Sequence, residues 1–218
     1  MGEVANDSTT RRQILRAALK HFANSGYAAA SVQQIVSTAK VSKPALYYHF
    51  QDKAALFGAL VHEAHDERYR VLRGAVTEGD PLAVQLEKIL VALFDCFHAN
   101  RELMRIAFST MFAAPGELPE NLRFLDRCER NFEFVHELFR QAQKRGELDP
   151  QFDSEEMAFG FYGMANFYLK GHLVSPDWTP DRSMAQRIVK LFLAGAGPKT
   201  GDKTLKESSG TKKRRQTK

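Results

Sequence analysis

Cysteine, long apolar segments and strand-like patterns are all scarce in this sequence. Its two cysteines, Cys96 and Cys128, are too few for a disulfide framework, which favours a reducing compartment. The longest uncharged run in the aromatic half, residues 157–169, spans 13 residues, whereas a membrane helix needs about 20. The first ten residues also lack the apolar core of a secretory signal. We therefore expect a cytoplasmic protein with no membrane partner.

Acidic residues are scarce at both ends of the chain, although 44% apolar and 26% charged residues are ordinary for a globular protein. Basic residues outnumber acidic ones by 7 to 3 in residues 1–53 and by 8 to 2 in residues 198–218. Acidic residues lead by 21 to 16 in residues 54–197. The basic ends are candidates for contact with phosphate groups. Residues 198–218 contain a single leucine, which predicts a disordered basic tail that either adds non-specific DNA affinity or only aids solubility.

Apolar residues recur at steps of three and four almost throughout, which predicts an all-α protein. Thr10 and Gln13 have capping-box spacing, so the first helix is predicted from Thr10 to Ser25. Gly26 is expected to end it through a left-handed conformation. Proline, glycine and cap residues divide the later pattern into longer helices, predicted at residues 53–74, 81–100, 101–113, 119–146, 154–175 and 180–195.

Two short helices are predicted in between, each with its own start signal. Ser31 and Gln34 form a second capping-box pair, and this helix must stop near Lys40 because a new start follows at once. Ser42 is the next N-cap, and Pro44 lies in the first turn, where its missing amide hydrogen has no helical partner. Two capped helices joined by about three residues have helix-turn-helix spacing, in which the second helix enters the major groove of DNA.

The outer face predicted for the second short helix contains hydroxyls, a cation and aromatic rings but no acid. Groups of this kind suit base edges and phosphates. Lys53 strengthens the prediction, because a cation in the first turn of the next helix is unfavourable unless a phosphate shares that helix start. The residues of this outer face are Ser42, Lys43, Pro44, Tyr47, Tyr48 and His49.

The stretch from Gly26 to Leu56 resembles the tetracycline-repressor (TetR) family of bacterial transcription regulators. Its pattern reads G-Y-x(4)-V-x-x-I-x-x-x-A-x-V-S-x-x-x-L-Y-Y-H-F-x-x-K-x-x-L, and the part from Val41 onward is the most specific. The resemblance covers about residues 11–60. Lys40 is a departure, since the family usually has glycine in this turn, and a left-handed non-glycine residue costs about 1–2 kcal/mol.

What the resemblance implies is a homodimer that binds a palindromic double-stranded DNA operator and releases it when a small molecule enters the second domain. Residues 1–53 would form a three-helix helix-turn-helix DNA-binding domain, and residues 54–197 a helical bundle for ligand binding and dimerisation. Carried over by position, it implies phosphate contacts at Ser31 and Ser42, base-facing positions at Lys43, Pro44 and Tyr48, and DNA-backbone contacts at Tyr47, His49 and Lys53.

The later helices predict a dimer surface and an effector pocket. The segment 157–169 is apolar nearly all round, so one side is expected to face a second copy, although a purely internal core helix is the alternative. Thirteen of the 16 phenylalanines lie beyond residue 90, and as a set they favour a hydrophobic or aromatic small-molecule effector, while core filling is the better explanation for any single one. The candidate pocket residues are Phe94, Phe97, His98, Met104, Phe108, Met111, Phe112, Phe132, Phe161, Met164 and Tyr168.

No catalytic residues, metal site or cofactor are predicted. His62 and His65 are spaced to share one helix face, but no third ligand with zinc spacing accompanies them. No Ser-His-Asp order, glycine-rich phosphate loop or carboxylate pair nominates an enzyme. A ligand-responsive transcriptional repressor is the leading interpretation. The alternative is a helical bundle that sequesters a ligand or binds a partner without specific DNA binding.

Overall fold

The computed structural model of the protein describes residues 2–111, 113–114, 116–175 and 177–194, with side chains from residue 7 onward. Within these ranges the chain contains helices and no strand, which confirms the all-α prediction. The predicted basic tail lies outside the described residues. The helices are α1 (Gly2–Ala29), α2 (Val32–Ala39), α3 (Lys43–His49), α4 (Lys53–Ala75), α5 (Leu82–Ala99), α6 (Arg101–Met111), α7 (Leu125–Lys144), α8 (Ser154–Val174) and α9 (Arg182–Ala194).

Helix α1 begins well before its predicted start and contains one break. Because the chain is already helical at Thr10, the predicted capping box of Thr10 and Gln13 is wrong. Two polar residues on the surface of a continuing helix can have the same three-residue spacing as a capping box, so the local sequence does not distinguish a helix start from a helix interior. Gly26 has φ 76° and ψ 172°, a conformation that other residues rarely adopt, and it interrupts the helix where an end was predicted.

Helices α2 and α3 begin and end where the sequence predicted. The Ser31 hydroxyl accepts the Gln34 amide at 3.2 Å, and the Ser31 amide donates to the Gln34 side chain at 3.3 Å, which completes the capping box. The Ser42 hydroxyl accepts the Ala45 amide at 3.2 Å. Each of these contacts spans three residues, so the local sequence is sufficient to place both helix starts.

Helix α4 joins the N-terminal helices to the rest of the molecule. Asp52 caps its start, with Oδ1 accepting the Ala55 amide at 2.7 Å. Near this end Phe57 meets Phe22 of α1 edge to face, with ring centroids 5.0 Å apart. Further along, α4 packs against α5, α6 and α7. A shift of α4 would therefore move the helix-turn-helix relative to the later helices.

Helix α7 begins at Leu125, later than the predicted start at Pro119. Residues before it form a turn, in which the Leu122 amide donates to the Pro119 carbonyl at 3.1 Å. Phe124 then stacks on the ring of His65 in α4, with centroids 5.9 Å apart. This tertiary contact directs the chain out of the helical path that its periodicity suggests.

Helices α5, α7, α8 and α9 complete the bundle. Helix α8 packs against α7 and α5, and α9 packs against α5. A cluster of rings fills the centre, where Phe161 contacts Phe139 at 5.9 Å and Phe192 at 5.4 Å between centroids. None of the described helices is long and apolar enough to span a bilayer.

Candidate nucleic-acid interface and ligand cavity

The outer face of α3 is the candidate nucleic-acid interface. Leu46, which is completely buried, is the single buried residue of α3 and holds the helix against α1 and α2. The opposite side exposes 78% of Tyr48 and 48% of Tyr47. Lys43 and Pro44 are exposed at the beginning of the same helix. The face therefore presents two phenols and an ammonium group to solvent, as a groove-reading helix requires.

Two exposed serines flank this face. Ser31 precedes α2 and Ser42 precedes α3, and each hydroxyl oxygen already accepts a cap hydrogen bond. A hydroxyl also has one hydrogen to donate, and that hydrogen remains available for a phosphate oxygen. The two predicted phosphate contacts are thus compatible with the capping roles of the same side chains.

The turn between α2 and α3 is closed by a left-handed lysine. Lys40 has φ 54° and ψ 42°, and within the described ranges it is the only residue other than glycine with a positive φ. Its amide donates to the Ser37 carbonyl at 3.2 Å, and the Val41 amide donates to the Val36 carbonyl at 3.1 Å. These bonds satisfy the last carbonyls of α2, which offsets the expected strain of about 1–2 kcal/mol.

His49 and Lys53 are held by contacts inside the N-terminal domain. The His49 side chain is only 7% exposed, with Nδ1 3.6 Å from Asp7 Oδ1, so the structure does not bring it to the outer face of α3. Lys53 Nζ donates to the Ala28 carbonyl at 3.1 Å and lies 4.5 Å from the centroid of the Tyr27 ring. Partial burial lowers the pKa of Lys53. An ammonium has three protons, so this bond leaves Lys53 able to contact a phosphate, whereas His49 is poorly placed to do so.

An apolar cavity of about 600 Å³ opens between α6, α7 and α8. Its size is within the range of small-molecule sites in proteins. Three of the predicted pocket residues, Phe108, Met111 and Phe132, line this cavity. The other lining residues are Cys128, Glu129, Phe159, Tyr162, Gly163, Asn166, Phe167 and Lys170.

The remaining predicted pocket residues lie elsewhere. His98 is exposed, with its ring 5.7 Å from that of His172, and the Tyr168 ring lies 5.9 Å from that of Trp178. Met164 is half-buried away from the cavity, and Phe112 is outside the described residues. Helical periodicity indicates an inward face but not whether a neighbouring helix fills the space beside it. Four residues are core members that are at most 3% exposed and do not line the cavity, namely Phe94, Phe97, Met104 and Phe161.

Sequence reasoning missed a buried polar cluster that adjoins the cavity. Arg68 of α4 is 7% exposed and donates from Nη2 to Asn166 Oδ1 at 2.7 Å. Its guanidinium also lies 4.8 Å from the centroid of the Tyr162 ring. Asn131 is completely buried and donates to the His65 carbonyl at 3.2 Å. Tyr162 and Asn166 line the cavity, so the cluster lies directly behind one of its walls.

The two histidines of α4 contact different parts of the molecule. The His62 ring nitrogen Nε2 lies 2.6 Å from the Arg123 carbonyl, whereas the His65 ring is buried with Nε2 3.7 Å from Cys128 Sγ. Among the residues that the structure describes, no group of three histidine, cysteine or acidic side chains is placed to hold a metal ion.

His65 should make folding stability depend on pH. Burial, followed by the charge of Arg68, lowers the pKa of His65 from its ordinary 6.5 to about 4. Between these values the unfolded chain binds a proton that the folded protein does not, so the free energy of unfolding falls as pH falls from about 6.5 towards 4. The loss near pH 4 is about 3 kcal/mol. Urea denaturation between pH 7 and pH 4 measures it.

The matched variants for this measurement are His65→Gln and His136→Gln. His65→Gln should remove most of that decline between pH 6.5 and pH 4. His136, beside Glu133, is less buried, so its variant should decline as the wild type does. Equal declines in the wild type and His65→Gln would show that His65 does not carry the effect.

Comparison with known proteins agrees with this architecture. The sequence model described as "Bacterial regulatory proteins, tetR family" matches residues 14–60. The transcriptional regulator AcuR of Cereibacter sphaeroides is 27% identical over 179 residues, covering 78% of this chain and 80% of AcuR. The regulator TtgR of Pseudomonas putida is 26% identical over 179 residues, covering 77% of this chain and 82% of TtgR.

A solved structure shares the fold over nearly the same length. A bacterial regulatory protein of the tetR family from Rhodococcus RHA1 superposes with a TM-score of 0.69 at 21% identity, covering 85% of this chain and 95% of that protein. The helix-turn-helix with its exposed α3, followed by a larger helical domain, defines a bacterial transcriptional regulator rather than an enzyme. Residues 14–60 thus match the tetR family, whose regulators bind DNA and small-molecule effectors and act as dimers, and relatives named as transcriptional regulators extend the similarity over most of the chain.

Proposed function

We propose that this ligand-responsive regulator is a cytoplasmic repressor that binds a palindromic operator as a homodimer and releases it when an apolar molecule enters the cavity between α6, α7 and α8. The observation that carries the DNA part is the acid-free, solvent-exposed face of α3, with Tyr48 78% exposed. Residues 1–53 would read DNA and residues 54–197 would bind the effector and the second subunit. A basic tail at 198–218 would add salt-dependent affinity.

Within the operator complex, the residues of the α3 face would have different tasks. Lys43, Pro44 and Tyr48 would face base edges because they lie at the exposed side of a helix that fits the major groove. Tyr47 and Lys53 would contact the DNA backbone, and the hydroxyls of Ser31 and Ser42 would donate to phosphates. The buried side chain of His49 would orient the end of α3 rather than touch DNA.

Dimerisation would use the exposed apolar residues of α8 and α9. Phe159 is 70% exposed, Phe167 75% and Val174 71%, and Leu191 of α9 is 46% exposed. Side chains of this size left in water on neighbouring helices are typical of a protein interface. A second copy is the favoured partner because two-fold pairing places two α3 helices about 34–36 Å apart, one turn of DNA.

Effector release would pass through α4, which packs against α1 beside the helix-turn-helix and against α6 and α7 at the cavity. A ligand that favours one position of α4 would change the separation of the two α3 helices. Coupling of this kind typically amounts to about 1–3 kcal/mol, a 5–150-fold change in operator affinity.

The DNA proposal is tested by selecting bound sequences from random duplexes and measuring affinity by fluorescence anisotropy. Lys43→Ala should relax the selected sequence more than it lowers affinity, by about 1–3 kcal/mol of discrimination at the base pair it reads. Tyr47→Ala with Lys53→Ala should weaken binding to every duplex. Lys144→Ala, at the exposed end of α7 and outside both proposed surfaces, is the matched control and should change neither.

The opposite result would favour the second candidate function. A wild-type protein that dimerises and takes up apolar compounds but selects no sequence would be a sequestering bundle, and the operator proposal would be rejected. Wild-type sequence preference in both variants would reject the assigned contacts on α3.

A further inference from the structure

Arg68 is a buried cation without an acidic partner among the residues that the structure describes. Its side chain is 7% exposed, and its one side-chain hydrogen bond joins Nη2 to Asn166 Oδ1 at 2.7 Å. Nε is buried and has no partner within the described part of the chain. A buried charge is unfavourable unless an opposite charge or a full set of hydrogen bonds compensates it. Arg68 therefore lacks a negatively charged partner, which a bound anion would supply.

The groups around Arg68 do not neutralise it. His65, one turn earlier on α4, is kept neutral at pH 7 because burial lowers its pKa to about 4. Asn131 and Asn166 are uncharged, and Tyr162 offers only the face of its ring at 4.8 Å. At the cavity itself, Glu129 and Lys170 are both exposed and have opposite signs. Arg68 thus adds a positive charge beside the cavity that no described acidic side chain pairs with.

Arg68 does not itself line the apolar cavity, but it contacts side chains that do. Its two side-chain contacts, Asn166 and Tyr162, are lining residues of the cavity between α6, α7 and α8. The cavity lining also includes the apolar side chains of Phe108, Met111 and Phe132. An apolar body and a single anionic end would therefore both find complementary groups.

We infer that the effector is a small apolar carboxylic acid, bound as the anion, whose carboxylate accepts hydrogen bonds from Arg68 while its hydrocarbon part fills the 600 Å³ cavity. Nε and one Nη of a guanidinium form the fork that pairs with both oxygens of a carboxylate. The carboxylate would then share Nη2 of Arg68 with Asn166. The binding of the acid is independent of the proposed function. Only its effect on operator release rests on that function.

The test is isothermal titration calorimetry of the full chain, without DNA, with three probes of equal length: octanoate, 1-octanol and octylammonium. Octanoate should bind at least tenfold more tightly than 1-octanol, and octylammonium most weakly. Equal affinities for octanoate and 1-octanol would overturn the inference, because an apolar cavity alone does not distinguish them.

Three variants test whether Arg68 causes the preference for octanoate over 1-octanol. Arg68→Met should abolish it and leave 1-octanol binding unchanged. Asn166→Asp should also abolish the preference for octanoate, while raising the melting temperature, since it supplies an internal carboxylate at the 2.7 Å contact without removing packing. Arg70→Met is the control, because Arg70 is exposed and paired with Glu67 on the same helix, and it should keep the preference. A preference retained in the folded Asn166→Asp variant would overturn the inference even if Arg68→Met fails to fold.

Failure of the inference and failure of the proposed function give different results. A protein that selects an operator but does not distinguish octanoate from 1-octanol contradicts only the assignment of Arg68. A protein that shows the Arg68-dependent preference but selects no operator contradicts only the DNA proposal.

Discussion

Leu46→Ala is expected to destabilise the helix-turn-helix domain by about 2–5 kcal/mol and to abolish operator binding. Leu46 is completely buried and is the single buried residue of α3. Helix α3 has seven residues, and a helix of this length has no stability without tertiary contacts. Truncation of Leu46 leaves a cavity where α3 meets α1 and α2, so the helix loses the contact that orients its outer face.

The neighbouring residue gives the matched control for this prediction. Tyr47→Ala removes a side chain that is 48% exposed, so stability should change by less than about 0.5 kcal/mol while DNA affinity falls. Leu46→Met preserves volume and should restore most of the stability and the binding. Thermal denaturation and fluorescence anisotropy on the same samples separate the effects. Normal operator affinity in Leu46→Ala would mean that α3 is oriented by something other than this contact.

Phe167→Glu is expected to convert the proposed dimer into a monomer and to lower operator affinity by at least about 100-fold. Phe167 is 75% exposed in the single chain, so the substitution leaves the packing of one subunit intact. In the dimer the same position would bury an unpaired carboxylate, which is strongly unfavourable. A monomer reads one half of the operator and loses the advantage of two linked sites, which is typically 10²–10⁴-fold.

Light scattering after size-exclusion chromatography measures the mass, and anisotropy with the selected operator measures the affinity. Phe152→Glu is the control, since Phe152 is 55% exposed in the loop before α8 and lies outside the proposed surface. It should remain dimeric and bind DNA normally. A dimeric Phe167→Glu protein with full affinity would place the subunit interface elsewhere.

The helix-turn-helix was predictable from sequence because its signals are short-range. The caps at Ser31, Ser42 and Asp52 each act on an amide three residues away, so the residues that define these helix starts are also neighbours in the chain. The pattern around Leu46 likewise separates a buried side from an exposed one within two turns. Among the predicted caps, Thr10 was wrong, because a cap and a surface position of a longer helix share the same spacing.

The effector site was predicted only in part, because it depends on which helices leave a gap. Phe108, Met111 and Phe132 line the cavity, whereas Phe94 and Phe161 fill the core, and their sequence environments do not differ in any feature that marks this outcome. A ring on an inward face is buried in either case. The distance between neighbouring helix axes decides whether space remains beside it.

The sequence by itself determined an all-helical chain, the limits of α2 and α3, and the acid-free face that α3 exposes, because helix caps and helical periodicity act over a few residues. Tertiary structure alone decided that Arg68 is buried behind the cavity, although it stands in a charged segment between Ala64 and Leu72. It also placed His49 against Asp7, away from the outer face of α3. Burial of a charged group follows from the packing of α4 with α7 and α8, and residues that meet across 98 positions of chain, as Arg68 and Asn166 do, leave no local pattern.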